Sequence, residues 1–356
     1  MKIFRYLLFP FTILFVCITE SRNFFYRTGI LKPSSFSTPV ICIGNLSVGG
    51  TGKSPMVNYL ASHLKSQYQI AVLSRGYGRK TRDYLEVETD MSADTCGDEP
   101  LQCKRKNPDI LVSVDGNRVR GIVFQLGDHP NTDLVLLDDA FQHRAVKAGL
   151  NILLTEFSNP FFQDHVLPTG NLRELRKNAR RANLMVVTKC PTELSDAQRN
   201  DYRAQIKKYT DADVFFASIQ YTEIHPLRTE LTALSSVKGK KIILVTGIAN
   251  PAPLEDYLKQ QGAEIHPMFF ADHYRFKEKD IQQIQSKWKE IGQDVILMTT
   301  EKDAMRLGSL TGVSKTILDT LPMYYQSIGI TIENEEKFNL HIHEFIRTNQ
   351  GDSSVS

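Results

Sequence analysis

Apolar and polar positions follow a regular rhythm along most of the chain. Short unbroken apolar runs at 40–45, 70–74, 110–114, 134–137, 151–154, 184–187 and 214–218 are separated by longer, mixed stretches compatible with helix. Unbroken runs of this length predict strands covered on both faces, and their alternation with helical stretches predicts parallel βαβ units. A second set, 241–246, 264–269 and 295–299, with a helix-compatible stretch at 280–289, predicts a smaller lobe built the same way. Two further extended runs, 218–222 and 324–332, border that lobe at its entry and exit and predict a two-stranded β tether.

The first 33 residues break this rhythm. No charged side chain occurs from 6 to 19, whereas Lys2, Arg5, Arg22, Arg27 and Lys32 flank the run against a single acid, Glu20. As a helix the run rises about 21 Å, short of a hydrocarbon core of roughly 30 Å, and Pro10 lies inside it. No small-x-small site follows, which argues against a cleaved secretory signal. The expectation is a helix at a membrane surface, held by apolar burial and by its basic flanks on anionic lipid. A single span and a helix docked on the protein's own core are the alternatives. At the other end, the small polar tail 351–356 is expected to be disordered.

Composition narrows the choice. The 356 residues are 41% hydrophobic, enough for one large core or two smaller ones. Basic side chains number 43 against 40 acidic, a net charge of +3, so no nucleic-acid partner is indicated. The five cysteines form neither a CxxC pair nor a zinc-ligand set, and reduced, mostly buried thiols are expected.

The run at 40–45 leads directly into Ser47-Val48-Gly49-Gly50-Thr51-Gly52-Lys53-Ser54 and then into a helical stretch through Lys65. In a strand, glycine loop, helix arrangement the backbone N–H groups of Val48 to Ser54 turn onto phosphate oxygens, and the helix N-terminus adds its positive end. Lys53 would reach the terminal phosphates of a nucleotide and the Ser54 hydroxyl would ligate Mg²⁺. The pattern GxxxxGK[ST] has glycine where this chain has Ser47. The run at 134–137 ends in Asp138-Asp139, the place where such a loop needs a second Mg²⁺ anchor.

Phosphoryl transfer to an alcohol also wants a base. In Gly97-Asp98-Glu99-Pro100 the glycine and proline predict a turn that aims its carboxylates. His273, in Asp272-His273-Tyr274, is a candidate to orient Asp98 from the second lobe, and His143 a candidate for a sugar or phosphate oxygen. The stretch 171–181, with Arg173, Arg176, Lys177, Arg180 and Arg181 against Glu174 alone, reads either as an anion-neutralising surface or as a solvated helix face. A guanine-reading NKxD is absent, since Thr188-Lys189-Cys190-Pro191 lacks the closing aspartate.

Taken in order, these segments resemble the tetraacyldisaccharide 4'-kinase family of lipid A synthesis. The likeness rests on the apolar N-terminus, Gly44-Asn45 leading into Val48 to Pro55, Ser74-Arg75-Gly76-Tyr77-Gly78, Gly97 to Pro100 and Asp138 to Arg144. It continues through Leu167-Pro168, Leu172-Arg173-Glu174, Asp272-His273 and Thr300-Glu301-Lys302-Asp303. It implies a P-loop NTPase-like three-layer α/β/α lobe (34–220) behind the membrane-associated segment (1–33), a smaller α/β lobe with the β tether (221–332) and a C-terminal helix (333–350). It also implies that ATP with Mg²⁺ phosphorylates the 4'-hydroxyl of an acylated glucosamine disaccharide 1-phosphate at the cytoplasmic face of the inner membrane of a Gram-negative bacterium. By motif, Asp98 resembles the base, His273 its partner, Lys53, Ser54, Asp138 and Asp139 the phosphate and metal set, and Arg118, His143 and Arg173 substrate or supporting residues. Ser54 replaces a common threonine and Tyr274 a common second histidine. The alternative function is a P-loop ATPase or GTPase switch at the membrane surface.

Overall fold

The apolar runs become strands of one mixed sheet. In the computed structural model, which describes residues 7–272, 274–292 and 294–350, helix α1 (Phe9–Arg27) precedes β1 (Val40–Asn45), α2 (Lys53–Leu64), β2 (Ile70–Ser74) and β3 (Leu85–Glu86). Next come α3 (Ala93–Cys96), α4 (Asp98–Lys106), β4 (Leu111–Val114), α5 (Arg118–Asp128), β5 (Leu134–Asp138), β6 (Leu150–Glu156), β7 (Leu184–Thr188), α6 (Asp196–Lys207) and β8 (Asp213–Pro226). The chain continues through β9 (Lys241–Thr246), α7 (Ala252–Gln260), β10 (Glu264–Phe269), α8 (Glu278–Ile291) and β11 (Ile296–Thr300). It closes with α9 (Glu301–Leu307), α10 (Gly312–Leu318), β12 (Met323–Ile332) and α11 (Glu335–Gln350). Lys2, Arg5, His273 and the 351–356 tail lie outside the described residues.

The strand order is β10-β9-β11-β12-β8-β7-β6-β1-β5-β2-β4-β3. Pairing is parallel except at the β3–β4 edge and between β8 and β12. The tether is longer than its sequence signal. β8 spans 14 residues, pairing first with β7 from Asp213 to Phe216 and then antiparallel with β12 from Ala217 to Pro226. Both ends of this ribbon are thus stitched into neighbouring strands, and the two expected lobes are halves of one sheet.

Every residue of β1, β2, β5 and β7 is buried, as continuous apolar runs require. Alternate residues serve opposite faces. Ile41, Ile43, Val72 and Leu136 pack with Met56 and Leu60 of α2 on one face, whereas Val40, Cys42, Leu73 and Leu137 pack with Ile122 of α5 on the other. α11 returns to the first of these cores with Phe338, Ile342 and Ile346, one turn apart.

α1 docks on the body through a polar stripe and through Phe15 and Val16, which are partly buried against the core. Thr12 meets the Thr169 hydroxyl at 2.6 Å, Asn23 Nδ2 donates to Glu174 at 3.1 Å, and Glu20 pairs with Lys177 at 2.6 Å. Phe9, Phe11, Ile13, Leu14, Ile18, Phe24 and Phe25 stay exposed. An apolar run in the sequence gives no sign that its few polar residues face inward. Among the described residues no helix is long and apolar enough to cross a membrane.

Candidate active site

The glycine loop leaves β1 and feeds α2 at the carboxyl end of the sheet. Gly52 is the N-cap, with φ 82°, a left-handed conformation that costs glycine nothing. Its backbone lies beside Thr188 of β7, whose hydroxyl donates to the Thr51 carbonyl at 2.9 Å. From the other side, Asn45 Nδ2 donates to Thr51 Oγ1 at 2.7 Å. The loop is thereby pinned to two strand ends, and the first-turn N–H groups of α2 have no intrahelical acceptor. Lys53 Nζ lies 3.3 Å from the Gly49 carbonyl. Val48, Gly49, Gly50, Thr51, Gly52, Lys53 and Ser54 make the loop and the start of α2, in which the Val48 N–H donates to the Asn171 carbonyl at 2.8 Å and the Thr51 N–H to the Gly49 carbonyl at 3.1 Å.

β5 lies directly beside β1, with Asp138 in register with Ile43. The two adjacent carboxylates have different surroundings. Asp139 sits at φ 47°, a strained value for a non-glycine residue. Lys53 lies 3.8 Å away, and Arg173 grips Asp139 with two N–H groups at 2.7 and 3.2 Å. Burial pushes the Asp139 pKa up, but Lys53 and Arg173 pull harder, so it lies below the usual carboxylate range. Asp138 is pushed up to about 7, first by burial and then by Glu99 and Asp139. The Ser74 hydroxyl donates to its Oδ2 at 2.9 Å, and its buried Oδ1 has no partner.

The remaining expected residues divide between this tip and its supports. Arg118, buried at the start of α5, donates to the Asp115 carbonyl at 2.6 Å and to the Asp138 carbonyl at 3.1 Å, bracing the end of β5. Arg173 also reaches the Asn45 carbonyl at 3.1 Å, tying Asp139 to β1. The stretch 171–181 is therefore no solvated helix. It ends in a 3-10 turn (Arg176–Arg181), and Arg173 and Arg181 point inward onto Asp139 and Glu174. His143 Nε2 is buried with no partner, and burial, then Arg118, holds its pKa down at about 4, so the imidazole is neutral.

Asp98 lies at a helix start rather than in the free turn expected from Gly97 and Pro100. Proline is tolerated in a first helical turn, where its missing N–H has no partner to lose, and two acids there suit the helix dipole. Gly97 has φ 96°, and a Cβ on it would come within 3.2 Å of Gly76 Cα. The orienting partner expected for Asp98, His273, lies outside the described residues. Asp98 does have a described partner from the second half of the chain. Arg306 of α9 donates to Asp98 Oδ2 through Nε at 3.1 Å and also through Nη2, while Lys302 lies 2.6 Å from Glu99.

The site brings together a glycine loop at a helix start, an adjacent acidic strand tip and a separately held carboxylate. A model of the family described as tetraacyldisaccharide-1-P 4'-kinase matches residues 4–347. The chain belongs to the tetraacyldisaccharide 4'-kinase family. It is 42% identical to the tetraacyldisaccharide 4'-kinase of Flavobacterium johnsoniae, over 98% of this chain and 99% of that one. It is 39% identical to the enzyme of the same name in Bacteroides thetaiotaomicron, over 98% and 95%. It is also similar to the crystal structure of LpxK from Aquifex aeolicus in complex with ATP, with a TM-score of 0.76 and 29% identity over 96% of this chain and 99% of that chain. None of the sequence motifs singles out Arg306. Its only sequence signal is its place four residues after Lys302, one helical turn along the same face.

Proposed function

We propose that this chain uses ATP with Mg²⁺ to phosphorylate the 4'-hydroxyl of a tetraacyldisaccharide 1-phosphate, yielding a lipid A precursor, at the cytoplasmic face of the inner membrane of a Gram-negative bacterium. The observation that carries the reading is the glycine cradle lying one strand from Asp138, whose buried Oδ1 has no protein partner. A buried carboxylate oxygen without a partner, next to a second carboxylate, fits a divalent cation. Asp138, Asp139 and Ser54 would hold the ion, which when bound offsets charge on the nucleotide phosphates.

The chain's own residues do the rest. Amides of Gly49, Gly50, Gly52, Lys53 and Ser54 orient the nucleotide within the Val48 to Ser54 loop, and the Lys53 side chain neutralises its terminal phosphate. Asp98 accepts the proton of the 4'-hydroxyl as that oxygen bonds to the γ-phosphorus and the bond to the β–γ bridging oxygen breaks, releasing ADP. His273 orients Asp98, and neutral His143 offers Nε2 to a substrate oxygen. Arg118 and Arg173 keep Asp138 and Asp139 in place, and Arg173 also lies near enough to the cradle to meet substrate. Residues 34–220 and 221–332 act as lobes, with the β8–β12 ribbon as their hinge. The outward apolar face of α1 seats the enzyme on the membrane beside its lipid-linked acceptor.

The test is incubation of purified protein with ATP, Mg²⁺ and the disaccharide 1-phosphate glycolipid, locating the new phosphate by mass and NMR. Lys53→Ala is expected to abolish most turnover. Asp98→Ala should lower kcat by about 10² to 10⁴-fold while ATP still binds. Acceptor-independent hydrolysis at the parent's transfer rate would favour a nucleotide switch instead.

A further inference from the structure

We propose that Arg306, carried by α9 from the far half of the sheet, is a positioning residue for Asp98; the inference rests on the role proposed above for Asp98. The guanidinium is set before it reaches that carboxylate. Its Nη1 donates to Asp303 Oδ1 at 2.8 Å and to the Gly247 carbonyl at 3.2 Å. Asp303 is fully buried and itself accepts from the Thr300 hydroxyl at 2.8 Å and from Gly247 N–H at 2.9 Å. Arg306 is therefore a rigid fork between two carboxylates, one belonging to its own helix and one to α4.

Consequences follow for Asp98. Its Oδ2 takes two N–H groups of Arg306, and its Oδ1 accepts the Glu99 N–H at 3.1 Å, so the carboxylate plane is fixed from both ends. The planar guanidinium fork fixes where the carboxylate points, which a flexible ammonium would not do. Contact with a cation also weakens a base. Misplacement of a reacting group by about 1 Å costs on the order of 100-fold, so orientation outweighs that loss. The contact also completes the site across the sheet. A cleft of about 360 Å³ opens at this junction, lined by Tyr77, Asp98, Arg275 and Arg306 among others. One turn earlier on α9, Lys302 makes the matching pair with Glu99, and its pKa is raised because Glu99 and Asp98 more than offset its burial.

The experiment measures steady-state transfer from ATP to the glycolipid by the full chain and its variants. Arg306→Ala is expected to lower kcat by about 10- to 100-fold with the KM for ATP within about twofold of the parent. Arg306→Lys keeps the charge without the fork and should fall between the two. Ser309→Ala, which removes a different contact between the halves (Ser309 Oγ with Ala93 N–H, 3.0 Å), should leave kcat unchanged. In an Asp98→Ala background, Arg306→Ala should have no further effect on the residual rate. Parent-like kcat in Arg306→Ala, beside a defective Asp98→Ala, overturns the positioning role alone. An active Asp98→Ala overturns the role of Asp98 and this inference with it. Should Arg306→Ala not fold, Arg306→Lys decides: a kcat within twofold of the parent overturns the proposal, and a fall at unchanged KM for ATP supports it.

Discussion

The helices at the two ends of the chain meet the body in opposite senses. α11 turns Phe338, Ile342 and Ile346 inward, all fully buried, and leaves Lys337 and His341 outside on Asp213. α1 turns Thr12 and Asn23 inward and holds Phe9, Phe11, Ile13, Leu14 and Ile18 outward at 52–62% exposure. Each helix is amphipathic, so periodicity alone does not say which face is the inner one. α11 is placed by removing apolar surface from water, at roughly 1.5–3 kcal/mol for each large side chain. α1 is placed by hydrogen bonds and ion pairs with only Phe15 and Val16 packed against the core, and its outward apolar face has an energetic reason only against an apolar medium.

If that contrast is right, the largest stability loss belongs to the apolar seam. Phe338→Ala should destabilise the protein by about 3–5 kcal/mol in denaturant titration, because Phe338 lies against Tyr59 and Phe215 with no room for water. A loss below about 1 kcal/mol would mean that α11 is not part of the cooperative core. The polar seam should yield less. Glu174 is fully buried and pairs with Arg181 at 2.7 Å and with Asn23. Glu174→Ala leaves both donors short of an acceptor and should cost about 2–3 kcal/mol by the same measurement.

Acid distinguishes the seams at smaller scale. On the α11 side, His343 packs beside His63 with ring centroids 5.6 Å apart and near the Tyr68 hydroxyl. Burial, then His63, lowers its pKa in the folded state. The folded protein thus binds fewer protons than the unfolded one, and this contribution is full above the unfolded value of about 6.5 and fades as pH falls through it. The Tm drop between pH 7.5 and 5.5 should be smaller in His343→Gln than in the parent. On the α1 side the titrating group is Glu20. Its burial is outweighed by Lys177 and Asn178, which leaves its pKa lowered, so that seam should weaken only when pH falls through the carboxylate range.

The same contrast explains what the sequence disclosed. The strand, glycine loop and helix at 40–64 and the strand end at Asp138 were legible because each is fixed locally, by a buried strand ending where the polar residues begin. The tether was legible as two extended runs, but not its length, since pairing partners set where β8 and β12 stop. Arg306 was not legible: its contact with Asp98 joins residues 208 positions apart and exists only because the β8–β12 crossing turns α9 toward α4. Arg173 and Arg181 were visible as charges whose partners were not. A helix start at Asp98 was concealed by a glycine and a proline that suit a turn equally well.

The smallest expected effect on stability is the most informative about α1. Leu14 is 59% exposed, so replacing it by glutamate should leave the unfolding free energy in the absence of lipid within about 0.5 kcal/mol of the parent. A face that works against lipid behaves differently, because a charge placed in the hydrocarbon boundary must be desolvated. Sedimentation with vesicles containing anionic lipid should therefore show Leu14→Glu shifted to the supernatant, and Phe11→Glu, at 62% exposure, shifted likewise. Thr12→Ala, on the opposite face, should reverse the pattern: vesicle binding retained, with about 1 kcal/mol lost from the bond to Thr169. Equal vesicle binding by all three variants would remove the membrane from the account of α1 and leave its outward face without an apolar partner.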